Sequence, residues 1–264
     1  MEADASPVLA LDGVTVATNG GPPRLQDVTW RVHPGEHWAV LGANGAGKST
    51  LLDVVAGKVA LARGRVAVLG SEIGSPDMRD PRRHLGVIDA TPQPFARGMR
   101  PLDIVLNGVA GSVAGQGRRA SAPERERALE LLGTLGCAGL LDRRFEDCSR
   151  GERQRVLVAR ALIRRPRILA FDEPATALDL RGRETLLEAV SEVARDQPGL
   201  VTVTVTHHME ELPASTTHAL LLRSGRVVGQ GHATATLTSA ALSACFGLPL
   251  TVERSGGRWF ARSA

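Results

Sequence analysis

The chain has 264 residues, of which 43% are hydrophobic and 23% charged, and its formal net charge is +4. This length fits one large domain or a core with a smaller insert, and the composition excludes collagen and a long disordered chain. No apolar run reaches the roughly 18 residues of a membrane-spanning helix, and the acidic start at residues 1–4 is unlike a secretory signal peptide.

The first part of the chain is predicted to contain strands around a glycine-rich loop. Residues 8–16 and 28–32 alternate apolar and polar side chains, as half-buried strands do. Residues 38–41 are a short apolar run, typical of a buried strand, and a glycine-rich segment and a helix over 48–55 follow. The order is strand, glycine loop, helix, and short strands and turns are expected over 64–88.

The pattern changes after about residue 90, where strand signals disappear. A helix is predicted after Ser121, because Ser121 and Glu124 have the spacing of a capping box and Pro123 suits the first helical turn. The apolar stripe of this helix consists of Ala128, Leu131, Leu132 and Leu135. We interpret this region as an inserted helical subdomain.

Strands and helices alternate after the insert. A helix is predicted over 151–164, a buried strand over 168–171, a helix near 181–195 and a β-branched strand over 200–206. This alternation predicts an α/β fold with a mostly parallel sheet and helices on both faces. Residues 216–262 mix short strands with a small helix. The predicted division of this single domain is a core at about 8–90 and 151–232, an insert at about 91–150 and a carboxyl-terminal extension at 233–264.

The glycine-rich segment, residues 42–49, matches the pattern of a phosphate-binding loop. Thr50 follows it directly. Its glycines allow positive φ angles, so that several backbone N–H groups point into one concavity. The following helix adds its positive amino-terminal end. Lys48 can reach the β- and γ-phosphates of a nucleotide, and the Ser49 hydroxyl can bind Mg²⁺. The loop consists of Gly42, Ala43, Asn44, Gly45, Ala46, Gly47, Lys48 and Ser49.

A pair of carboxylates follows the buried strand over 168–171. Ligands of open α/β folds bind at the carboxyl ends of the strands, which is where Asp172 and Glu173 are expected. We predict that Asp172 holds Mg²⁺, directly or through water, and that Glu173 polarises a water for attack on the γ-phosphate. Without the loop upstream, the same acids would indicate only a solvated turn.

A second candidate anion site precedes the helix over 151–164. Ser149 and Glu152 have capping-box spacing, which is a purely structural interpretation of the segment. Gly151, however, exposes backbone at a helix start, and helix starts attract anions.

These segments together resemble the motifs of ABC-type ATPases. The segment from Cys148 to Arg155 resembles the signature motif of that family, residues 177–179 with Asp179 resemble the D-loop, and residues 205–207 with His207 resemble the switch-histidine segment. Five motifs follow in the family's order over residues 42–207, and the resemblance covers roughly residues 8–232.

The resemblance implies a mechanism. Two such domains pair head to tail, as a homodimer or with another ABC ATPase, and enclose two ATP molecules with Mg²⁺. Each ATP lies between the loop of one subunit and the signature segment of the other, formed here by Ser149, Arg150, Gly151 and Glu152. ATP binding closes the dimer, hydrolysis opens it, and this cycle drives a separate membrane permease.

His207 has three interpretations. It could be a buried structural histidine at a strand end or a metal ligand together with His208. The third interpretation, implied by the resemblance, is a sensor of the γ-phosphate. In that case His207 is a catalytic residue, as Lys48 and Glu173 are. Adjacent residues point to opposite faces of an extended strand, which argues against chelation by the two histidines.

The chain departs from the family pattern in four places. Cys148 replaces the usual Leu of the signature and Arg150 its first Gly. No aromatic residue occurs at 16–19, where the family usually stacks adenine. The Q-loop glutamine is expected at Ala90; Gln93, three residues later, either takes this role through a shift of the loop or is only a turn residue.

Two classes of function remain open. The first is the ATPase subunit of a transporter, located in the cytoplasm on the inner face of the membrane. Residues 35–38, 206–208 and 246–249 look most like ATPases of metal, siderophore or cobalamin importers and their molybdate-linked relatives. The second is an ABC-type ATPase that acts in regulation, repair or translation without a permease. A nucleotide-binding pseudo-enzyme is disfavoured by the intact Lys48, Asp172, Glu173 and His207.

The cysteine and aromatic contents bear on compartment and partners. The three cysteines, Cys137, Cys148 and Cys245, are far apart and lack metal-ligand spacing, which suits a reducing cytosol. Aromatic residues are 3% of the chain, so there is little material for stacking nucleic-acid bases, and no direct nucleic-acid partner is expected.

Overall fold

An antiparallel sheet forms the amino-terminal side of the protein. The computed structural model describes residues 6–18, 20–74, 84–89, 95, 97–110, 120–176 and 178–264. The strands of this sheet are β1 (Leu9–Val16), β2 (Leu25–Val32), β4 (Arg63–Val68) and β5 (Ser71–Glu72), in the order β2-β1-β4-β5. Strand β2 alternates buried and more exposed residues, because one face of the sheet packs on the core while the other faces water.

A six-stranded, mostly parallel sheet forms the centre. The strands are β3 (His37–Leu41), β6 (Leu85–Asp89), β7 (Ile168–Asp172), β8 (Val201–Thr206), β9 (His218–Arg223) and β10 (Arg226–His232). Their order in the sheet is β10-β9-β3-β8-β7-β6, and only β10 runs antiparallel to its neighbour. All six residues of β8 are buried, as expected for a central strand covered on both faces.

The register of the parallel strands brings their carboxyl ends to one edge. Leu41 at the end of β3 is paired with Thr206 at the end of β8. Asp172 at the end of β7 is paired with Val205 of β8 on one side and with Asp89 of β6 on the other. The segments that follow these strands therefore lie next to one another along that edge.

Helices cover the sheet and form the insert. They are α1 (Lys48–Val55), α2 (Pro101–Ala110), α3 (Ala122–Thr134), α4 (Arg150–Leu162) and α5 (Leu180–Asp196). Helix α3 begins with the predicted capping box between Ser121 and Glu124. One apolar cluster joins Leu132 of α3 and Val158 of α4 to Phe171 of the central sheet. Insert and core thus share one interior.

The carboxyl-terminal segment packs against the end of the central sheet. It contains α6 (Ala233–Thr236), α7 (Ser239–Phe246) and an antiparallel hairpin of β11 (Leu250–Ser255) and β12 (Arg258–Ser263). Leu41 of β3 lies in one apolar cluster with Leu242, Cys245 and Trp259 from this segment. Arg258 fixes the hairpin, since its Nη1 lies 2.7 Å from Oε2 of Glu184 in α5.

The predicted fold class is confirmed: the protein is α/β, with a mostly parallel sheet, an amino-terminal antiparallel sheet and a helical insert. None of the helices in the described part of the chain has the length and hydropathy needed to cross a membrane.

Candidate functional site

The glycine-rich loop joins the carboxyl end of β3 to the start of α1. Gly45 and Gly47 have φ angles of 79° and 106°, a region that side chains disfavour. A Cβ atom on Gly47 would lie 2.7 Å from the carbonyl oxygen of Arg24, and one on Gly42 would lie 2.2 Å from that of Leu222. The loop therefore needs glycine at these positions for conformation and for space.

Lys48 is the first residue of α1 and only 5% exposed. Its Nζ donates to the carbonyl oxygens of Gly42 at 2.8 Å and Ala43 at 3.1 Å. An ammonium group has three donors, so a phosphate oxygen could accept the third. Burial lowers the pKa of Lys48, while the nearby carboxylates of Glu173 and Asp172 act in the opposite direction.

Asp172 and Ser49 form the candidate Mg²⁺ site. Burial is the largest cause of a raised pKa at Asp172, and the Glu173 and Asp89 carboxylates add to it, whereas a hydrogen bond from Ser49 and the charge of Lys48 oppose it. Asp172 Oδ1 is buried and accepts no hydrogen bond from the described residues. A buried, unpartnered carboxylate oxygen beside a hydroxyl fits a hard divalent cation, and Mg²⁺ is commonly held by one or two carboxylates together with substrate phosphates.

Glu173 sits in an uncommon backbone conformation directly after β7. Its φ is 49°, and its N–H donates to the carbonyl of Val205 at 2.9 Å. Its Oε1 lies 3.0 Å from Nδ1 of His207, and its Oε2 accepts a hydrogen bond of 3.5 Å from Thr176. Positive φ at a non-glycine residue costs on the order of 1 kcal/mol and concentrates at functional sites.

His207 and His208 do not lie on opposite faces of a strand, so that prediction is wrong. Strand β8 ends at Thr206, and the chain then turns into a short 3-10 helix at Met209–Glu211. The two imidazole rings are therefore neighbours, with centroids 4.0 Å apart. The described residues nevertheless contain no group of three or more His, Cys, Asp or Glu side chains that could hold a metal.

The loop and Glu173 line one cleft with a volume of about 290 Å³. His207 reaches this cleft through its contact with Glu173, and Asp172 is connected to it through Ser49. The sequence offered no motif for one further lining residue, Arg24, which precedes β2. The lining residues are Arg24, Asn44, Gly45, Gly47, Lys48, Ser49, Thr50 and Glu173.

The second candidate anion site lies apart from the loop. Ser149 caps α4: its N–H donates to Glu152 Oε2 at 2.6 Å, and its Oγ accepts from the Glu152 N–H at 3.3 Å. This hydrogen bond from the Ser149 backbone is the main cause of the lowered pKa of Glu152. Asp179 caps α5 by accepting from Gly182 N–H at 2.7 Å.

The caps of α4 and α5 face a separate cleft of about 580 Å³. A Cβ on Gly151 would lie 3.3 Å from Cα of Gly182, so the starts of the two helices are in close contact. The described residues lining this cleft include Ser149, Arg150, Gly151, Glu152 and Asp179, and none of them also lines the loop cleft. One chain therefore does not bring its signature segment to its own loop cleft.

The departures from the family pattern have different structural settings. Cys148 is 3% exposed and takes the place of a buried apolar residue, in keeping with the behaviour of a free cysteine. Arg150 is exposed at the start of α4. Ala90, Gln93 and residue 177 lie outside the described residues.

Comparison with known proteins gives consistent matches. The family described as ABC transporter matches residues 25–176. The chain is 38% identical to the uncharacterized ABC transporter ATP-binding protein YlmA of Bacillus subtilis, over 93% of each chain. It is 36% identical to the cobalt import ATP-binding protein CbiO of Rhodobacter capsulatus, over 94% of this chain and 88% of that protein. A solved structure of an inward-facing candidate metal-chelate type ABC transporter superposes with a TM-score of 0.79 at 26% identity, covering 98% of this chain and 97% of the other.

Proposed function

Because this chain belongs to the ABC transporter family of ATP-binding proteins, we propose that two copies close head to tail on ATP and so drive a separate membrane permease. The chain is an ATP-binding, ATP-hydrolysing subunit of the ABC type. The finer assignment of cargo class rests on its relatives: CbiO is a cobalt import ATP-binding protein, and the structural neighbour is a candidate transporter of the metal-chelate type. These relatives favour import of a metal or a metal chelate.

One observation carries the proposal. The phosphate loop, Asp172 and Glu173 with its partner His207 meet at the carboxyl edge of β3, β7 and β8. The loop amides and Lys48 bind the phosphates, and the amino-terminal end of α1 favours their negative charge. Ser49 and Asp172 would hold Mg²⁺, which neutralises charge on the β- and γ-phosphates when it is bound.

Glu173 is proposed as the general base. It accepts a proton from the water that attacks the γ-phosphorus, as the bond from that phosphorus to the bridging oxygen of ADP breaks. His207 lies 3.0 Å from the Glu173 carboxylate, so it can orient this carboxylate and sense the γ-phosphate beside it. Thr176 holds the other carboxylate oxygen at 3.5 Å.

The separate positions of the two clefts support cross-subunit assembly. Ser149 and Gly151 lie at the positive end of α4, where an anion is favoured, but they line the cleft that lacks the loop. A second copy placed head to tail would bring them to the γ-phosphate of the first, with Asp179 at the same interface. Gln93 is proposed as the Q-loop residue that contacts the attacking water and couples to the permease.

The proposed organisation follows from this role. The core at about 8–90 and 151–232 binds nucleotide, the helical insert at about 91–150 presents the signature segment, and residues 233–264 extend the core. A permease partner would place the subunit on the inner face of the cell membrane, with no direct contact to nucleic acid.

The test joins an enzymatic and a binding measurement. The purified chain should hydrolyse Mg·ATP. The affinity-tagged chain should retain one polytopic protein from detergent-solubilised membranes. The cargo of that protein should raise the rate of hydrolysis. Recovery of ribosomes or DNA in place of a membrane protein would overturn the transporter assignment and favour the alternative without a permease. Absence of Mg·ATP hydrolysis in the presence of the membrane partner would overturn the catalytic assignment.

A further inference from the structure

Arg24 lines the nucleotide cleft, and we propose that its guanidinium is the platform on which the base of ATP stacks. This inference rests on the proposed function and names the residue that recognises the nucleoside. Arg24 immediately precedes β2, and its N–H donates to the carbonyl of Val16 at 2.9 Å, at the end of β1. Its neighbour Leu25 is fully buried.

The backbone of Arg24 is fixed against the phosphate loop. Its carbonyl oxygen lies 2.7 Å from the position that a Cβ would take on Gly47, and equally 2.7 Å from that position on Gly225. Gly225 in turn donates its N–H to the carbonyl of Ala46 at 2.9 Å. Arg24 is therefore held between the loop and the β9–β10 turn, and its side chain starts from a defined point at the cleft.

The side chain of Arg24 has no protein partner in the part of the chain that the structure describes. Two arginines of the neighbouring sheet, Arg31 and Arg65, are instead paired with Asp12, at 2.7 and 3.1 Å. Arg24 is exposed and lines the cleft with the loop. A cation in this position is available to a ligand.

The position of Arg24 favours contact with the nucleoside of ATP over contact with its terminal phosphate. The terminal phosphate must lie toward Glu173, which follows β7 and contacts His207 after β8. Arg24 leads into β2 of the amino-terminal antiparallel sheet, and its carbonyl oxygen packs against the loop at Gly47, just before α1. A nucleotide that extends from Glu173 along the loop would place its base on the Arg24 side.

The chemistry of the guanidinium suits this role. None of the described lining residues of the cleft is aromatic, and residues 16–18 at the end of β1 are Val, Ala and Thr. A guanidinium is planar and weakly hydrated and stacks on aromatic faces, whereas an ammonium group does not. A purine ring stacked on Arg24 would therefore gain a contact that none of the other lining side chains described in the structure offers.

The experiment tests whether position 24 contributes to ATP binding through a planar side chain that stacks or through a positive charge. Affinities of the full chain for Mg·ATP and for Mg·tripolyphosphate, which lacks a nucleoside, are measured by calorimetry in 0.3 M salt. Arg24→Ala and Arg24→Lys should each weaken ATP binding about three- to tenfold, while Arg24→Tyr should retain it. Tripolyphosphate binding should change less than twofold in all three variants. Arg226→Ala removes an exposed arginine that does not line the cleft and should leave both affinities unchanged.

Each outcome decides a different claim. If Arg24→Lys binds ATP as the wild type does while Arg24→Tyr loses both ligands, Arg24 contacts phosphate and the stacking proposal is overturned. If Arg24→Ala binds ATP with wild-type affinity, Arg24 has no role in recognition. If the wild-type chain binds tripolyphosphate and ATP equally, no base platform exists. Failure of the wild-type chain to bind either ligand would overturn the proposed function itself.

Discussion

Replacing Glu173 with Gln removes a proton acceptor while preserving the shape of the side chain. The carboxylate lies 3.0 Å from His207 and 3.5 Å from Thr176, and an amide can keep both contacts. The side chains of His207 and Glu173 are 25% and 30% exposed, so their pair contributes at most about 1 kcal/mol to folding. Loss of a general base typically slows a reaction about 10²- to 10⁴-fold, which corresponds to roughly 3–5 kcal/mol in the barrier.

The two effects can therefore be measured separately. Phosphate release at saturating Mg·ATP should fall by at least about a hundredfold in Glu173→Gln, while the urea midpoint and the affinity for ATP stay near wild type. Size-exclusion chromatography with ATP should show an accumulated dimer. Glu210→Gln is the matched control, since Glu210 lies 3.9 Å from His208 and makes no contact with Glu173. Hydrolysis at the wild-type rate in Glu173→Gln would refute the assignment of the base.

Three further predictions concern the loop, the signature segment and a group of histidines. Lys48→Ala should weaken Mg·ATP binding at least about tenfold in calorimetry, because a charged hydrogen bond to phosphate is lost; unchanged affinity would contradict the role of Lys48. Ser149→Arg should leave ATP binding by the monomer intact but prevent the ATP-dependent dimer of the Glu173→Gln background, and a dimer of normal abundance would argue against the cross-subunit site. Burial, chiefly, lowers the pKa of His37 and of His218, so the unfolded chain binds more protons as the pH falls below about 6.5. The urea midpoint should thus decrease from pH 7 to pH 5, and His218→Gln should reduce this dependence; a midpoint independent of pH would show that these histidines titrate alike in both states.

The sequence predicted the parts of the site that are local along the chain. The glycine loop, Lys48 and the pair Asp172 and Glu173 are recognisable because each follows a short apolar run, and the chemistry depends on immediate neighbours. The partner of Glu173 could not be derived in this way. It depends on the register between β7 and β8, which brings His207 beside a residue 34 positions earlier.

Other features depend on packing between distant elements. Arg24 touches the loop only because the turn that contains Gly225 and the start of β2 pack against it. The end of the strand at residue 206 was predicted, but His207 and His208 were mispredicted because they were treated as a continuation of the extended strand. Chain periodicity describes strands and helices, but it contains little information on the path of the residues that follow a strand.

The carboxyl-terminal segment, residues 233–264, packs against the strand that leads into the phosphate loop. Leu41, the last residue of β3, packs with Leu242 and Trp259, and Cys245 lies within 4.0 Å of the Leu41 carbonyl oxygen. Removal of residues 233–264 would expose this strand and weaken the packing that positions the phosphate loop. Residues 233–264 thus contribute to the support of the loop, so natural selection on nucleotide binding also acts on a segment that supplies none of the described residues lining the loop cleft.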